Sequence, residues 1–349
     1  VVLEEVLVTA TKRGALSLQD VSSSIAVMSE EFIENSGSIE FIDISRTVAG
    51  LDVVDLGPGN KTFIMRGINA VGESSVGLYY DDIPVSGSGA DAASLGGRQP
   101  DLLLYDVDRV EALRGPQGTL YGASALSGVV RVLTKSPEAN TFDAAIESSL
   151  SSIEHGAESY DINAMVNVPL IEDRLALRAV AYHSLRGGFI DNIKLGKDDF
   201  NENEIDGFRL SLKNWINDTT SITARFYYQD IHADDKDVHR PYDEELATGL
   251  PLAAIAPAAG EYKTDAASLQ PYDDEMVLAG ITLEHELPWA NLTAAGSYFS
   301  RDTNDNYDQT TTLPLFTSLI TVGAFPPISL FDNAVYVSDQ ETEMYSFEA

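Results

Sequence analysis

From about residue 142 onward, apolar and polar side chains alternate one by one. Between Ser221 and Gln229, Ile222, Ala224, Phe226 and Tyr228 share one side, and Thr223, Arg225, Tyr227 and Gln229 the other. Phe208, Leu210 and Leu212 alternate likewise with Arg209, Ser211 and Lys213. Val277, Ala279, Ile281 and Leu283 form a third apolar row, and Leu292, Ala294, Gly296 and Tyr298 a fourth. Successive side chains of a strand point to opposite faces, so a period of two predicts strands. They are placed near 142–152, 159–168, 174–184, 206–215, 220–231, 276–287, 290–301 and 341–349. The connections alternate in length: Pro169 to Asp173, Asn217 to Thr219 and Pro288-Trp289 are tight turns. Gly187 to Glu204, Ala233 to Glu275 and Asp302 to Gln340 are long and rich in Asn, Asp and Pro. Strands of about ten residues, with short turns at one end and long loops at the other, are the pattern of an outer-membrane β-barrel. A soluble sandwich shares the alternation, but its strands usually run to about five or six residues.

The first 140 residues follow a different grammar. Gly57-Pro58-Gly59, Gly96-Gly97, Gly115-Pro116, Gly118, Gly122 and Gly128 punctuate short β-rich runs at Ser24 to Met28, Thr62 to Met65, Gly77 to Tyr80, Val110 to Leu113 and Val129 to Leu133. Ser29 followed by acids predicts a short capped helix to Asn35, and Ile39 to Val48 a second. This is the pattern of a small α+β unit with long apical loops.

Composition narrows the function. The chain of 349 residues carries 22 Lys and Arg against 55 Asp and Glu, a net charge of −33, and no cysteine. Phosphate backbones would repel it, so nucleic acid is excluded as a partner. Disulfide scaffolds and cysteine chemistry go with the missing thiols. No apolar run reaches the length of a membrane helix, which leaves a barrel as the way to span a bilayer. The acids concentrate in the long loops: 11 against three bases from Ile231 to Glu275, and seven against none from Asn304 to Ala349. Such loops suit a solvated outer surface bridged by divalent cations to anionic lipopolysaccharide. They also attract cationic cargo and steer strongly anionic chelates poorly. His155, His183, His232, His239 and His285 have no metal-ligand spacing, and no catalytic set is visible. The sequence therefore implies no enzyme, no cofactor and no metal centre.

Five segments in order resemble the plug of TonB-dependent outer-membrane receptors and transporters. Glu4-Glu5-Val6-Leu7-Val8-Thr9-Ala10-Thr11 looks like the energy-coupling TonB box. Phe63-Ile64-Met65-Arg66-Gly67 matches the "IRG" signature, and Leu78-Tyr79-Tyr80-Asp81-Asp82-Ile83-Pro84-Val85 the "YvDGvpv" strand, with Asp82 where glycine is usual. The run from Val107 to Gly122, containing Leu113-Arg114-Gly115-Pro116, is the strongest match, and Ser127-Gly128-Val129-Val130-Arg131-Val132-Leu133-Thr134-Lys135 follows it. The resemblance covers the first 140 residues.

The resemblance implies a membrane β-barrel, antiparallel and of about 22 strands when complete, with an N-terminal α+β plug inside its lumen. Residues 1–13 would be the energy-coupling segment, 14–140 the plug, and 141–349 the first part of the barrel, with about eight strands. Eight strands enclose too little space for a plug, so the sequence is expected to continue past Ala349. Glu5, Val6, Leu7, Val8, Thr9 and Ala10 would bind the periplasmic energy transducer TonB by strand addition. Arg66 and Arg114, each before a glycine, would pair with glutamates on the barrel wall. Glu348 lies on the polar face of its strand with Met344 and Ser346, and is expected to be one such partner. Asn69, Glu73, Ser74, Arg98 and Gln99, in loops at the plug apex, are the polar candidates for ligand contact. The function expected is active uptake of a scarce nutrient across the Gram-negative outer membrane: an iron chelate first, then an oligosaccharide, then cobalamin. A surface lipoprotein partner is left open. The alternative is a passive porin or surface-binding protein without energy coupling, which would keep working after deletion of residues 4–10.

Overall fold

A computed structural model describes residues 7–10, 12, 14, 16–69, 74–85, 98–101, 103–122, 124–236, 260–308 and 335–348. The chain opens with β1 (Leu7–Val8), paired antiparallel with β2 (Leu16–Ser17). Next come β3 (Ser24–Ser29), α1 (Glu30–Ser36), α2 (Phe41–Ser45), β4 (Leu51–Asp55), β5 (Lys61–Met65), β6 (Val76–Tyr80), β7 (Ile83–Val85), β8 (Val107–Arg114), α3 (Gly118–Tyr121) and β9 (Gly128–Thr134). Five of these strands form a mixed sheet in the order β3-β8-β9-β6-β7, in which β6 and β9 run parallel; β4 and β5 form a separate hairpin.

Local chemistry sets the helix limits. The Ser29 side chain accepts from the Phe32 amide at the start of α1, and Gly37 ends the helix in the left-handed conformation at φ 65°. Helix α2 starts on a capping box between Glu40 and Asp43 and is shorter than the sequence predicts. Past Ser45 the backbone tightens, with Thr47 and Val48 donating three residues back.

From Asp143 a single antiparallel meander follows: β10 (Asp143–Ser152), β11 (Glu158–Ile171), β12 (Leu175–Arg186), β14 (Asn203–Asn217), β15 (Thr220–Ala233), β17 (Tyr272–Leu287), β18 (Ala290–Asp308) and β19 (Val335–Glu348). Two short strands in its long connections, β13 (Asp191–Asn192) and β16 (Lys263–Thr264), pair parallel and join two loops above the sheet. All eight predicted strands are present, and most are longer than expected, up to 16 residues in β17 and 19 in β18. About ten tilted residues cross a bilayer, so the extra length stands beyond it, on the side of the long loops.

The sheet is inside out compared with a soluble protein. Ile146, Ile281 and Phe347 are 82%, 59% and 87% exposed, while Arg301, Asp305 and Asp274 are 0%, 0% and 1% exposed. One face is an exposed apolar surface, and the other a polar wall closed over by the N-terminal domain. The main core runs across that boundary: Phe41, Phe63, Met65, Leu78, Ile83 and Val110 of the plug pack with Tyr227, Met276, Leu278 and Phe299 of the wall.

Candidate functional site: the docked segment and the plug–barrel contact

The N-terminal segment is held by side chains rather than by an extended ladder. Beyond the two-residue pairing of β1 with β2, the Thr9 amide donates to Glu111 Oε1 at 3.0 Å. The Thr9 hydroxyl accepts from Arg109 at 3.1 Å and from Arg131 at 3.2 Å. Glu111, fully buried in β8, is charge-compensated by Arg109 at 2.8 Å and Arg131 at 3.1 Å. Burial works against the charge on Arg131, but Tyr121, Glu111, Asp82 and Asp81 outweigh it and raise its pKa. Tyr121 donates to the Ala10 carbonyl at 2.6 Å, and Val8 and Ala10 are buried against Ile25, Leu113 and Val129. Lys12 then pairs with Glu348 on β19, its ammonium 4.4 Å from the Tyr121 ring centre. Burial, and after it the Glu348 carboxylate, push the Tyr79 phenol up to about 12, which keeps it a donor to the Tyr121 carbonyl.

A second contact grips the turn between β6 and β7. Asp81 sits there at φ 53°, its carboxylate accepting from the Thr134 amide and hydroxyl, each at 2.9 Å. From the wall, Tyr227 donates to the same carboxylate and Arg225 stands 3.3 Å away. Asp82 accepts from Thr282 at 3.2 Å. A third contact lies nearer the long loops. There Arg301 binds Asp274 and the plug carbonyls of Gly59 and Arg98, Arg178 holds Asp106, and Arg98 and Lys236 share Asp305.

The fold that carries these contacts has counterparts among known proteins. Residues 17–129 match the family model described as the TonB-dependent Receptor Plug Domain. The pesticin receptor of Yersinia pestis is 28% identical over 214 residues, which cover 60% of this chain and 28% of that receptor. The vitamin B12 transporter of Vibrio vulnificus is 27% identical over 45% of this chain and 24% of its own length. The crystal structure of the ferric yersiniabactin uptake receptor of Yersinia pestis superposes with a TM-score of 0.65 at 19% identity, covering 82% of this chain and 42% of that one.

The chain carries a TonB-dependent receptor plug domain at residues 17–129. Its fold is that of outer-membrane receptors, a plug with part of a β-barrel, and the chain spans less than half the length of these relatives.

Of the residues singled out in the receptor's sequence, Glu5, Val6 and Glu73 lie outside the described residues. Leu7, Val8, Thr9 and Ala10 form the docked segment. The Arg66 guanidinium lies beside Gly115, the residue that follows Arg114. The structure does not bring Glu348 to either arginine. Its partner is Lys12, and among the described residues Arg66 and Arg114 form no ion pair. Of the apex set, Asn69 is exposed, while Ser74, Arg98 and Gln99 are buried, Arg98 on Asp305 and Tyr307 of the wall. Lys12, Glu111, Arg131, Asp274 and Arg301 were not singled out in sequence. The available signal was the parity of the strands, which puts Asp274 and Arg301 in the inward polar rows. Sequence spacing also missed His183, Glu204 and Asp206, which β12 and β14 bring together on the outward face, with His183 Nδ1 2.9 Å from Asp206.

Proposed function

We propose that this receptor is an energy-coupled transporter that moves an iron chelate past its plug, and that residues 5–10 are the segment on which TonB docks. The observation that carries this reading is the mode of attachment of that segment. A two-residue strand pairing and a few side-chain hydrogen bonds hold it, so it can leave the plug without unravelling the five-stranded sheet and add to a partner's sheet edge. Strand addition satisfies main-chain groups whatever the side chains, which suits a short β-prone run. The proposed division places the coupling segment at residues 1–13, the plug at 14–140 and barrel from 141 onward.

An iron chelate is favoured as cargo by the likeness to the ferric yersiniabactin uptake receptor, and cobalamin is the runner-up from the vitamin B12 transporter. An oligosaccharide is the third candidate. Arg66 and Arg114 are proposed as a releasable latch toward barrel-wall acids, and Lys12–Glu348 as a second tether. Asn69, Glu73 and Ser74 are the proposed ligand contacts, while Arg98 and Gln99 fix the loop that carries them. On the outer surface, Asp206, Asp230, Glu275, Asp302 and Glu341 lie opposite one another on neighbouring strands as a continuous outward acidic row. That row supports the reading that divalent cations bridge the barrel to lipopolysaccharide.

The test is uptake by cells producing the full-length receptor, using radio-iron-labelled ferric yersiniabactin in one arm and cyanocobalamin in the other. Uptake of the iron chelate that disappears on deletion of residues 4–10, together with loss of binding to the periplasmic domain of TonB, is the expected result. Uptake that survives the deletion would make the protein a passive porin.

A further inference from the structure

We infer that Arg131 is the positioning residue through which the barrel wall's grip on the plug and the docking of the N-terminal segment stabilise each other. The inference rests on reading residues 5–10 as the coupling segment. Arg131 lies in β9, is 4% exposed, and splits its hydrogen bonds between two sites. Nη1 donates to the Thr9 hydroxyl at 3.2 Å and to Glu111 at 3.1 Å. Nη2 faces the β6–β7 turn, 3.4 Å from the Asp82 carboxylate and 3.5 Å from the Asp81 carbonyl. The other oxygen of Asp82 accepts from Thr282 in β17. Three hydrogen bonds thus join Thr9 to the barrel wall: Thr9 to Arg131, Arg131 to Asp82, and Asp82 to Thr282.

Two features single out Arg131. A guanidinium is a rigid planar fork, so its two ends cannot be repositioned independently. Displacing Thr9 removes an acceptor from one end and lets the fork swing away from Asp82 at the other. Arg109 also binds Thr9, but its remaining partners, Asp108 and Glu111, belong to its own strand. Among the described residues, Arg131 is the side chain that hydrogen-bonds both the segment and the turn held by the wall. A coupling of this kind is reciprocal. Loosening Asp82 from Thr282 must raise the free energy of the docked segment, and withdrawing the segment must loosen the turn.

The experiment is hydrogen exchange, read by mass spectrometry, on the full-length receptor in lipid nanodiscs, following the peptide that contains residues 7–10. Thr282→Val, in the wall and far from the segment, is expected to speed exchange of that peptide by about fivefold, the low end of measured couplings. Asp82→Asn is expected to act in the same direction. Arg131→Gln is expected to speed it further, and adding Thr282→Val to Arg131→Gln is expected to change nothing more, because the link is already cut. Ser297→Ala, which removes a hydroxyl that bonds Ser346 within the wall, is the control and is expected to leave the peptide unaffected. An unchanged peptide in both Thr282→Val and Asp82→Asn overturns the inference, as does an additive double variant. Binding of the periplasmic domain of TonB, measured on the same samples, tests the other reading. Responsive exchange without TonB binding ends the energy-coupling assignment and leaves the link standing. TonB binding with unresponsive exchange does the reverse.

Discussion

Arg301 lies along Asp274, Nε to Oδ1 at 2.9 Å and Nη2 to Oδ2 at 2.6 Å, and the same guanidinium donates to the Gly59 and Arg98 carbonyls, each at 2.6 Å. An ion pair on the barrel wall thereby holds two loops of the plug through their backbone. Arg301→Met leaves Asp274 charged, buried and unpaired, and is expected to cost about 3–5 kcal/mol. Arg301→Met with Asp274→Leu removes both charges and is expected to recover much of that loss, since buried pairs add little over apolar residues of similar size. Denaturant unfolding of the full-length receptor checks the energies. Hydrogen exchange is expected to rise around residues 57–61 and 98–101 in the single variant.

Gly59 leaves no room for a side chain. It sits at φ +61°, and a Cβ there would lie 2.5 Å from the Asp274 carboxylate and 2.6 Å from the Tyr272 ring. Gly59→Ala therefore combines left-handed strain with a collision against the Arg301–Asp274 pair. The expected loss is about 2–4 kcal/mol. Tyr272→Phe should not relieve it, because the ring carbon remains. Unfolding midpoints of the single and double variants decide this.

The eight wall strands were legible because each repeats its alternation over many residues, and a one-residue slip would turn every apolar side chain toward the plug. Their upper ends were not. In Asp302 to Asp308, β18 is polar on both faces, as expected of strand that stands above lipid, so no alternation marks where it stops. The parallel pairing of β6 with β9 was also hidden, since short apolar runs carry no signal of direction. At the site, the motifs drew attention to Thr9, Arg66 and Arg114 but not to the partners that hold them. Thr9 meets Arg131 across 122 positions, and Lys12 meets Glu348 across 336. Glu348 meets a lysine from the N-terminal segment and neither of the two motif arginines. Nothing in local sequence ranks one distant cation above another.

The plug carries a carboxyl that titrates near neutrality. Burial first, and then Asp101, push Glu40 from 4.5 up to about 7, against the pull of Lys61 and Arg186. Its folded pKa lies above its unfolded one, so the folded state keeps a proton that the unfolded chain has lost. The associated stability is fully present below about 4.5, declines as pH rises toward 7, and is level beyond that. Glu40→Gln keeps a side-chain carbonyl for the cap of α2 and removes the titration. The variant is expected to gain stability relative to the parent as pH is raised from 4.5 to 7, with no further gain above 7. Paired denaturant curves across that range test the sign.

The outward apolar rows make the sharpest distinction between lipid and water as the medium outside the wall. Leu210 is in the middle of β14, 40% exposed, between outward Phe208 and Leu212, while its neighbours Arg209 and Ser211 point inward and are buried. In water, Leu210→Arg would be a surface change worth about 0.5 kcal/mol or less. In a bilayer the guanidinium stands near the midplane, where a lipid-facing Arg costs about 2–4 kcal/mol. The expected result is a loss in that range for Leu210→Arg when the full-length receptor is unfolded from phospholipid vesicles. A much smaller loss is expected for Asp206→Arg, nearer the long loops on the same face, because the cost falls toward the interface. Equal and small effects at both positions would mean that this face meets water or another protein surface, and the barrel's orientation in the membrane would have to be redrawn.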